Sequence, residues 1–353
     1  MYLFEFDSLE SIDSMILFHT LAREGIEALI LVSPDKPFIS VGYFQNPLLE
    51  VDMDFCKEKG LPVFRREVGG GAVYLDYHQI FYQVVVRRDN PKAILDIQKM
   101  YEEYSRAPIE TYEELGIRVN FRPVNDLITS TGKKIAGEGS ADIGPCIVFV
   151  GSIILDFDYE TMVRALKVPE EKFRDKIYRT MQENLTTVKR ELGIYPSREE
   201  VRKILVEKFE KIFGKFERGV ITDELREKMN NLRRYMLSPS FLFKRTMRLP
   251  DKVKIREGVE IIYGLHKARG GLIRTMEEVR NEIMEAVSIT GDFSMFPKKG
   301  IVELENELQG KKRDKEEVKE HIIKVYEKEK IQTPGVEVDD YIKALKLEED
   351  NGG

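Results

Sequence analysis

Apolar residues recur at near-helical steps through residues 8–23, at Leu9, Ile12, Met15 and Ile16, and predict an amphipathic first helix capped by Asp7 or Ser8. Apolar runs over 27–32 and 37–41, separated by Ser33-Pro34-Asp35-Lys36, read as a hairpin. A short helix over 53–59 ends at Gly60, and strands follow around Val63, Val73 and Val84. Residues 91–115 read as one longer helix, 117–121 as a returning strand, and 146–157 as another apolar strand. Helices over 199–213 and 222–235 precede the breaker Ser238-Pro239-Ser240. Beyond it, strand-like runs at 259–263 and 285–289 and helices at 300–308 and 315–327 form a second pattern. The expectation is an α+β fold, a mixed sheet with packed helices over 1–240 and a smaller α+β domain over 241–353. Lys311-Lys312-Arg313 reads as a solvated helix approach, and the acidic tail from Glu348 as frayed.

Composition narrows the class. The 353 residues are ample for two domains, and 42% hydrophobic content supports ordinary cores. No apolar run is long enough for a transmembrane helix, and the N-terminus lacks the basic and apolar regions of a signal peptide. Two cysteines, Cys56 and Cys146, argue against a disulfide framework, so the expected location is cytoplasmic. A net charge of −6 argues against broad nucleic-acid binding.

The chemistry concentrates in Arg65-Arg66-Glu67-Val68-Gly69-Gly70-Gly71-Ala72-Val73-Tyr74. Three consecutive glycines pack nothing, so a fold keeps them where the backbone turns tightly or approaches something closely. Guanidinium groups beside bare backbone N–H groups make an anion cradle; the alternative is a glycine-rich hairpin with two surface arginines. Neither the P-loop pattern nor the dinucleotide fingerprint is present. Some sixty residues on, Asn125-Asp126-Leu127 precedes Gly132-Lys133-Lys134-Ile135-Ala136-Gly137. Taken singly, Lys134 reads equally as a solvated turn lysine and Asp126 as a turn residue bonding its own backbone.

In this order, the double-arginine triple-glycine strand, the Asn-Asp pair and the Lys-Ile-x-Gly turn resemble the lipoate–protein ligase A family of the biotin and lipoate ligase superfamily. Val41-Gly42-Tyr43-Phe44-Gln45-Asn46-Pro47 resembles its early substrate-side turn, and Gly151-Ser152-Ile153-Ile154-Leu155-Asp156 the strand after the lysine. Leu166-Lys167-Val168-Pro169 with Lys172-Phe173 resembles a later segment, and Ile289-Thr290-Gly291-Asp292-Phe293 resembles the C-terminal accessory domain, so the likeness covers nearly the whole chain. The resemblance implies a catalytic domain over 1–240, an accessory domain over 241–353, and an ATP-dependent ligase that makes lipoyl-AMP and pyrophosphate. The lipoyl group then passes to a lysine of an acceptor, a 2-oxoacid dehydrogenase E2 lipoyl domain or a glycine-cleavage H-type protein. It implies that Lys134 is catalytic and touches both lipoate and the α-phosphate. Arg66, Gly69, Gly70, Gly71, Ala72, Val73, Tyr74, Asn125, Asp126 and Gly137 are implied to hold ATP or lipoyl-AMP. Gly42 and Tyr43 are implied for lipoate, and Asp126 for Mg2+ brought with ATP.

Three positions depart from the family pattern. Val68 replaces a hydroxyl residue, Leu75-Asp76-Tyr77-His78-Gln79 keeps only the aspartate of the usual segment, and Glu138 follows the lysine turn where a small residue is usual. Rival readings are a cysteine-dependent octanoyl or lipoyl transferase working without ATP, for which Cys146 is the candidate, a non-catalytic lipoate-binding protein, and a biotin ligase. A buried cysteine opening an apolar strand suits structure better than nucleophilic attack.

Overall fold

The computed structural model describes residues 1–167, 174–246 and 258–348. The chain divides into two units: Met1–Val41 with Leu48–Glu67 and Ala72–Leu242, and Gly42–Pro47 with Val68–Gly71 and Phe243–Gly353. Val168, Pro169, Lys172, Phe173 and residues 349–353 lie outside the described residues.

The strands of the larger unit are β1 (Tyr2–Glu5), β2 (Ala28–Val32), β3 (Phe38–Val41), β4 (Val63–Arg65), β5 (Val73–Leu75), β6 (Gln79–Arg87), β7 (Val119–Arg122), β8 (Asp126–Thr129), β9 (Lys134–Gly137), β10 (Gly139–Ile143), β11 (Cys146–Ile154) and β12 (Glu217–Arg218). β2 and β6 are near-continuous apolar runs, as strands covered on both faces must be, and they lie inside a six-stranded sheet ordered β10-β11-β6-β2-β1-β12. Two three-stranded sheets carry the motifs. β4-β3-β5 brackets the arginine and glycine segment, and β7-β8-β9 carries the Asn-Asp pair and the lysine. The helix Arg198–Phe213 shows how the layers meet. Val201, Ile204, Leu205 and Phe209 line one buried face, Ser197 caps the start, and Gly214 at φ +84° ends it.

Three local expectations fail for identifiable reasons. β2 and β3 are not a hairpin, because the wholly buried β2 takes β1 and β6 as neighbours while β3 pairs with β4 and β5. The first helix is Asp13–Arg23, with Ile12 at its N-cap and no side-chain cap; Leu9 is held beforehand in a bridge to Pro34. The helix expected over 91–115 is two, Ile97–Tyr104 capped by Asp96 and Arg106–Glu114, meeting at the buried Ser105. Pro108 lacks the N–H that would reach the Tyr104 carbonyl, so it is tolerated in the first turn of a new helix but not inside one.

The smaller unit is an antiparallel meander of β13 (Val259–Ala268), β14 (Gly271–Arg280) and β15 (Ile283–Gly291), with helices Gly300–Leu308, Lys315–Glu329 and Val338–Ala344. β14 was not among the expected strands, because its inward face includes Glu277, fully buried and paired with Arg313 at 3.1 Å. Arg313 is therefore half-buried against an interior acid, whereas its neighbour Lys312 is exposed. Phe44 stacks on Phe293 with ring centres 5.1 Å apart, and both join a core with Ile289, Leu304, Ile322 and Tyr341. Among the described residues no helix is long and apolar enough to cross a membrane.

Candidate active site

Lys134 opens β9 and is aimed by an irregularity in its ladder. Asp126 pairs opposite Gly137 and Leu127 opposite Ala136, but Ile128 pairs with Lys134, so Ile135 is skipped. Such a bulge re-aims the side chains around it. Here it sends Ile135 wholly into the interior and leaves Lys134 partly exposed. The lysine then lies back across Gly137, where a Cβ would stand 2.8 Å from Nζ, and reaches Asp126 Oδ1 at 2.6 Å. The glycine three residues on is what leaves room for the ammonium. The other carboxylate oxygen of Asp126 accepts from Arg122 at 2.7 Å. Burial would raise the Asp126 carboxyl, but the Lys134 and Arg122 cations overcome it and hold it below its ordinary range.

Asn125 faces the turn instead. Its amide nitrogen donates to the Glu138 carbonyl, and the Glu138 N–H donates to the Asn125 carbonyl at 2.9 Å. This clasp joins the start of β8 to the end of β9. The Glu138 side chain turns inward, where it accepts from Tyr82 at 2.9 Å and from the Ser105 hydroxyl. Tyr82 reaches it because its ring lies over Gly151 on β11, where any Cβ would overlap the phenol. Burial pushes the Glu138 carboxyl up to about 8, against the opposing pull of the Ser105 and Tyr82 hydroxyls; Asp126 adds to the rise and Lys134 opposes it. The departure from a small residue therefore puts a buried acid beneath the lysine turn, a use the sequence alone does not reveal.

The two arginines part company. Arg65 is fully buried and donates from Nε and Nη2 to the Leu242 carbonyl at 2.9 and 2.7 Å, and from Nε to that of Phe241. It is a structural tie rather than half of an anion cradle. The Arg66 N–H donates to the Val41 carbonyl at 3.0 Å, and its Nη1 to the Ser40 carbonyl at 2.9 Å. Burial lowers the Arg66 guanidinium to about 10, with Tyr101 opposing. Val73 and Tyr74 lie on β5, an edge strand paired along β3, and Tyr74 packs inward with Ile39 and Val41. Ala72 is partly buried against the same cluster.

Within the smaller unit, the remaining glycines serve backbone contact. A Cβ on Gly69 would stand 2.6 Å from Ser294 Oγ and 2.7 Å from the Phe293 carbonyl. Gly70, at φ +87°, donates its N–H to that carbonyl at 3.2 Å, and Gly71 lies near Asp292. A Cβ on Gly42 would overlap the Gly70 carbonyl oxygen. Tyr43 is buried, donates its N–H to the Val68 carbonyl at 3.0 Å and packs edge-on against Phe44. Gly42→Ala should therefore destabilise by about 1–3 kcal/mol, the usual cost of forcing atoms into a filled space. A urea titration of the full chain measures it, and an unchanged midpoint would contradict the packing described.

Both thiols are buried: Cys146 at 0% exposure and Cys56 at 1%. Burial pushes each up to about 11, with Glu27 adding at Cys146 and Asp52 at Cys56. Among the described residues no group of three or more His, Cys, Asp or Glu side chains could hold a metal ion. Asp126 has the right chemistry to give Mg2+ one carboxylate oxygen, provided phosphate oxygens supply other ligands.

The family model described as the lipoyl protein ligase A/B catalytic domain matches residues 11–210. A lipoate–protein ligase of Streptococcus pyogenes is 27% identical over 80% of this chain and 79% of its own. The octanoyltransferase LipM of Kyrpidia tusciae is also 27% identical, over 67% of this chain and 93% of its own. A structure of the bi-partite lipoate protein ligase of Thermoplasma acidophilum, solved in a study that includes its E2 lipoyl domain, superposes with a TM-score of 0.62 at 25% identity, covering 71% of this chain and 98% of that one. With the family's catalytic domain matched over more than half its length, this chain belongs to the lipoate–protein ligase family.

Proposed function

We propose that this family member is an ATP-dependent lipoate–protein ligase. The observation that carries the choice is the burial of both thiols. The competing transferase reading, favoured by the LipM relative, needs an accessible thiolate to hold an acyl group as a thioester. A thiol withheld from solvent and pushed up to about 11 is a poor candidate. A ligase needs no protein nucleophile, because the acyl-adenylate is itself the activated species.

In this reading lipoate and ATP are the substrates. The lipoate carboxylate attacks the α-phosphorus, the bond to the β-phosphate oxygen breaks, and pyrophosphate leaves. The Lys134 ammonium, now held by Asp126, exchanges that carboxylate for the two substrate anions and holds them together against their repulsion. Arg66 adds a guanidinium, and the Ala72, Val73 and Tyr74 backbone borders the nucleotide along the outer edge of β5. Asn125 and Gly137 keep the lysine turn in shape. Mg2+ bound with the nucleotide would neutralise phosphate charge, and Asp126 is the residue to hold it. An acceptor lysine amine then attacks the acyl carbon and releases AMP; a lipoyl domain of the E2 type, as studied with the Thermoplasma enzyme, is the proposed partner.

The test is pyrophosphate and AMP release from Mg-ATP with lipoate, octanoate or biotin, in wild type and in a Cys56→Ala/Cys146→Ala variant. Acid-dependent release that survives the double substitution within a few-fold is expected. Acyl transfer that proceeds without ATP and vanishes in a folded Cys146→Ala protein would replace this reading with the transferase one.

A further inference from the structure

The helix Asp13–Arg23 grips Glu67, the residue after Arg66, through its last two turns. The Glu67 backbone N–H donates to His19 Nε2 at 3.1 Å. The Glu67 carboxylate pairs with Arg23, which also donates to the His19 carbonyl at 3.0 Å. His19 Nδ1 lies 2.8 Å from the Met15 carbonyl oxygen. A carbonyl can only accept, so Nδ1 bears the proton; a backbone N–H can only donate, so Nε2 must be bare. The tautomer is thus set by its neighbours. The ring is fully buried, lies on Phe18 with centres 3.9 Å apart and meets Phe64 edge-on. Arg23 and Glu67 beside it pair with each other. An imidazolium would press a second hydrogen against the Glu67 N–H.

We propose that His19, as the neutral Nδ1–H tautomer, is a positioning residue for adenylation: it fixes the Glu67 backbone and so sets where the neighbouring Arg66 guanidinium meets the substrate anion. The proposal rests on the ligase reading. Arg65 is tied to the Phe241 and Leu242 carbonyls, and the Arg66 N–H to Val41, so the tripeptide is anchored on one side by these and on the other by His19. Losing the His19 acceptor removes the bond to the buried Glu67 N–H and loosens that second side, where the Arg23 ion pair remains. A shift of about 1 Å in a positioning group can cost on the order of 100-fold in rate.

Two measurements test it. Nitrogen-15 labelling of the histidines at neutral pH should show one ring with a protonated Nδ1 and a bare Nε2. The label is assigned by its loss in His19→Leu. In adenylation assays run below the melting temperature, His19→Leu should lower kcat/KM for ATP by roughly tenfold or more. His19→Gln, whose side-chain carbonyl can accept the same N–H, should recover most of it. A lower melting temperature with unchanged kcat/KM in His19→Leu, or a ring that carries its proton on Nε2, would overturn the proposal alone. Wild type that releases no pyrophosphate with any acid would overturn the ligase reading, and this proposal with it.

Discussion

Lys134→Ala should lower acid-dependent pyrophosphate release by on the order of 100- to 1,000-fold, the loss typical of removing one preorganised charge from a reaction that builds negative charge. The loss should appear chiefly in kcat, because the ammonium matters most where the carboxylate and the α-phosphate are forced together. Folding should hardly change. The Lys134–Asp126 pair is partly exposed, such pairs contribute about 0–1 kcal/mol, and Asp126 keeps Arg122. Lys134→Arg should not restore activity, since a planar fork cannot occupy the compact space across Gly137 where the ammonium lies. A Lys134→Ala protein that adenylates at the wild-type rate would reduce the lysine to a surface ion pair.

Glu138→Gln should change how stability responds to pH. Burial pushes the folded carboxyl up to about 8, whereas an unfolded glutamate titrates near 4.3. Between these values the folded protein holds a proton that the unfolded chain has lost, so this group's contribution to stability falls as pH rises from about 4.3 and levels off above about 8. Glutamine keeps one acceptor and one donor for the Tyr82 and Ser105 hydroxyls and cannot ionise. The variant should therefore match wild type near pH 4 and exceed it by about 3–5 kcal/mol at pH 8 and above. Asp126 acts in a separate window. Its depressed carboxyl supports stability above its unfolded value, and that support is lost as pH falls further. Urea titrations of both proteins across this range would show parallel curves if the Glu138 carboxyl were an ordinary surface acid.

Much of this architecture is local enough to read from the chain. Asp52 and Gly60 bracket the helix Met53–Glu58, and the helix Arg198–Phe213 follows its apolar spacing. The α+β class and the family both follow from patterns in the sequence, the second through a lysine turn whose glycine has a visible spatial reason. What eluded the sequence depends on partners far along the chain. Nothing in Ser33-Pro34-Asp35-Lys36 says that it separates two sheets instead of joining two paired strands. Glu277 disguises β14 because its counterion, Arg313, comes thirty-six residues later. His19 looks like one more polar residue in its helix until Glu67, forty-eight residues on, presents its N–H. Arg65 and Arg66 are adjacent letters with opposite fates, one tied to Phe241 and Leu242 and one beside Ser40.

The discontinuous make-up of the smaller unit bears on the order in which the protein can form. Phe44 stacks on Phe293, and Gly70 bonds the Phe293 carbonyl, so residues 42–47 and 68–71 complete their native contacts only after some two hundred further residues exist. During synthesis, at roughly 5–20 residues per second, those segments wait for ten seconds or more. Closing contacts across such separations slows folding relative to locally paired units. A chain truncated after Leu242 would leave the Tyr43–Phe44 pair without the ring and backbone that cover it, an apolar step open to association.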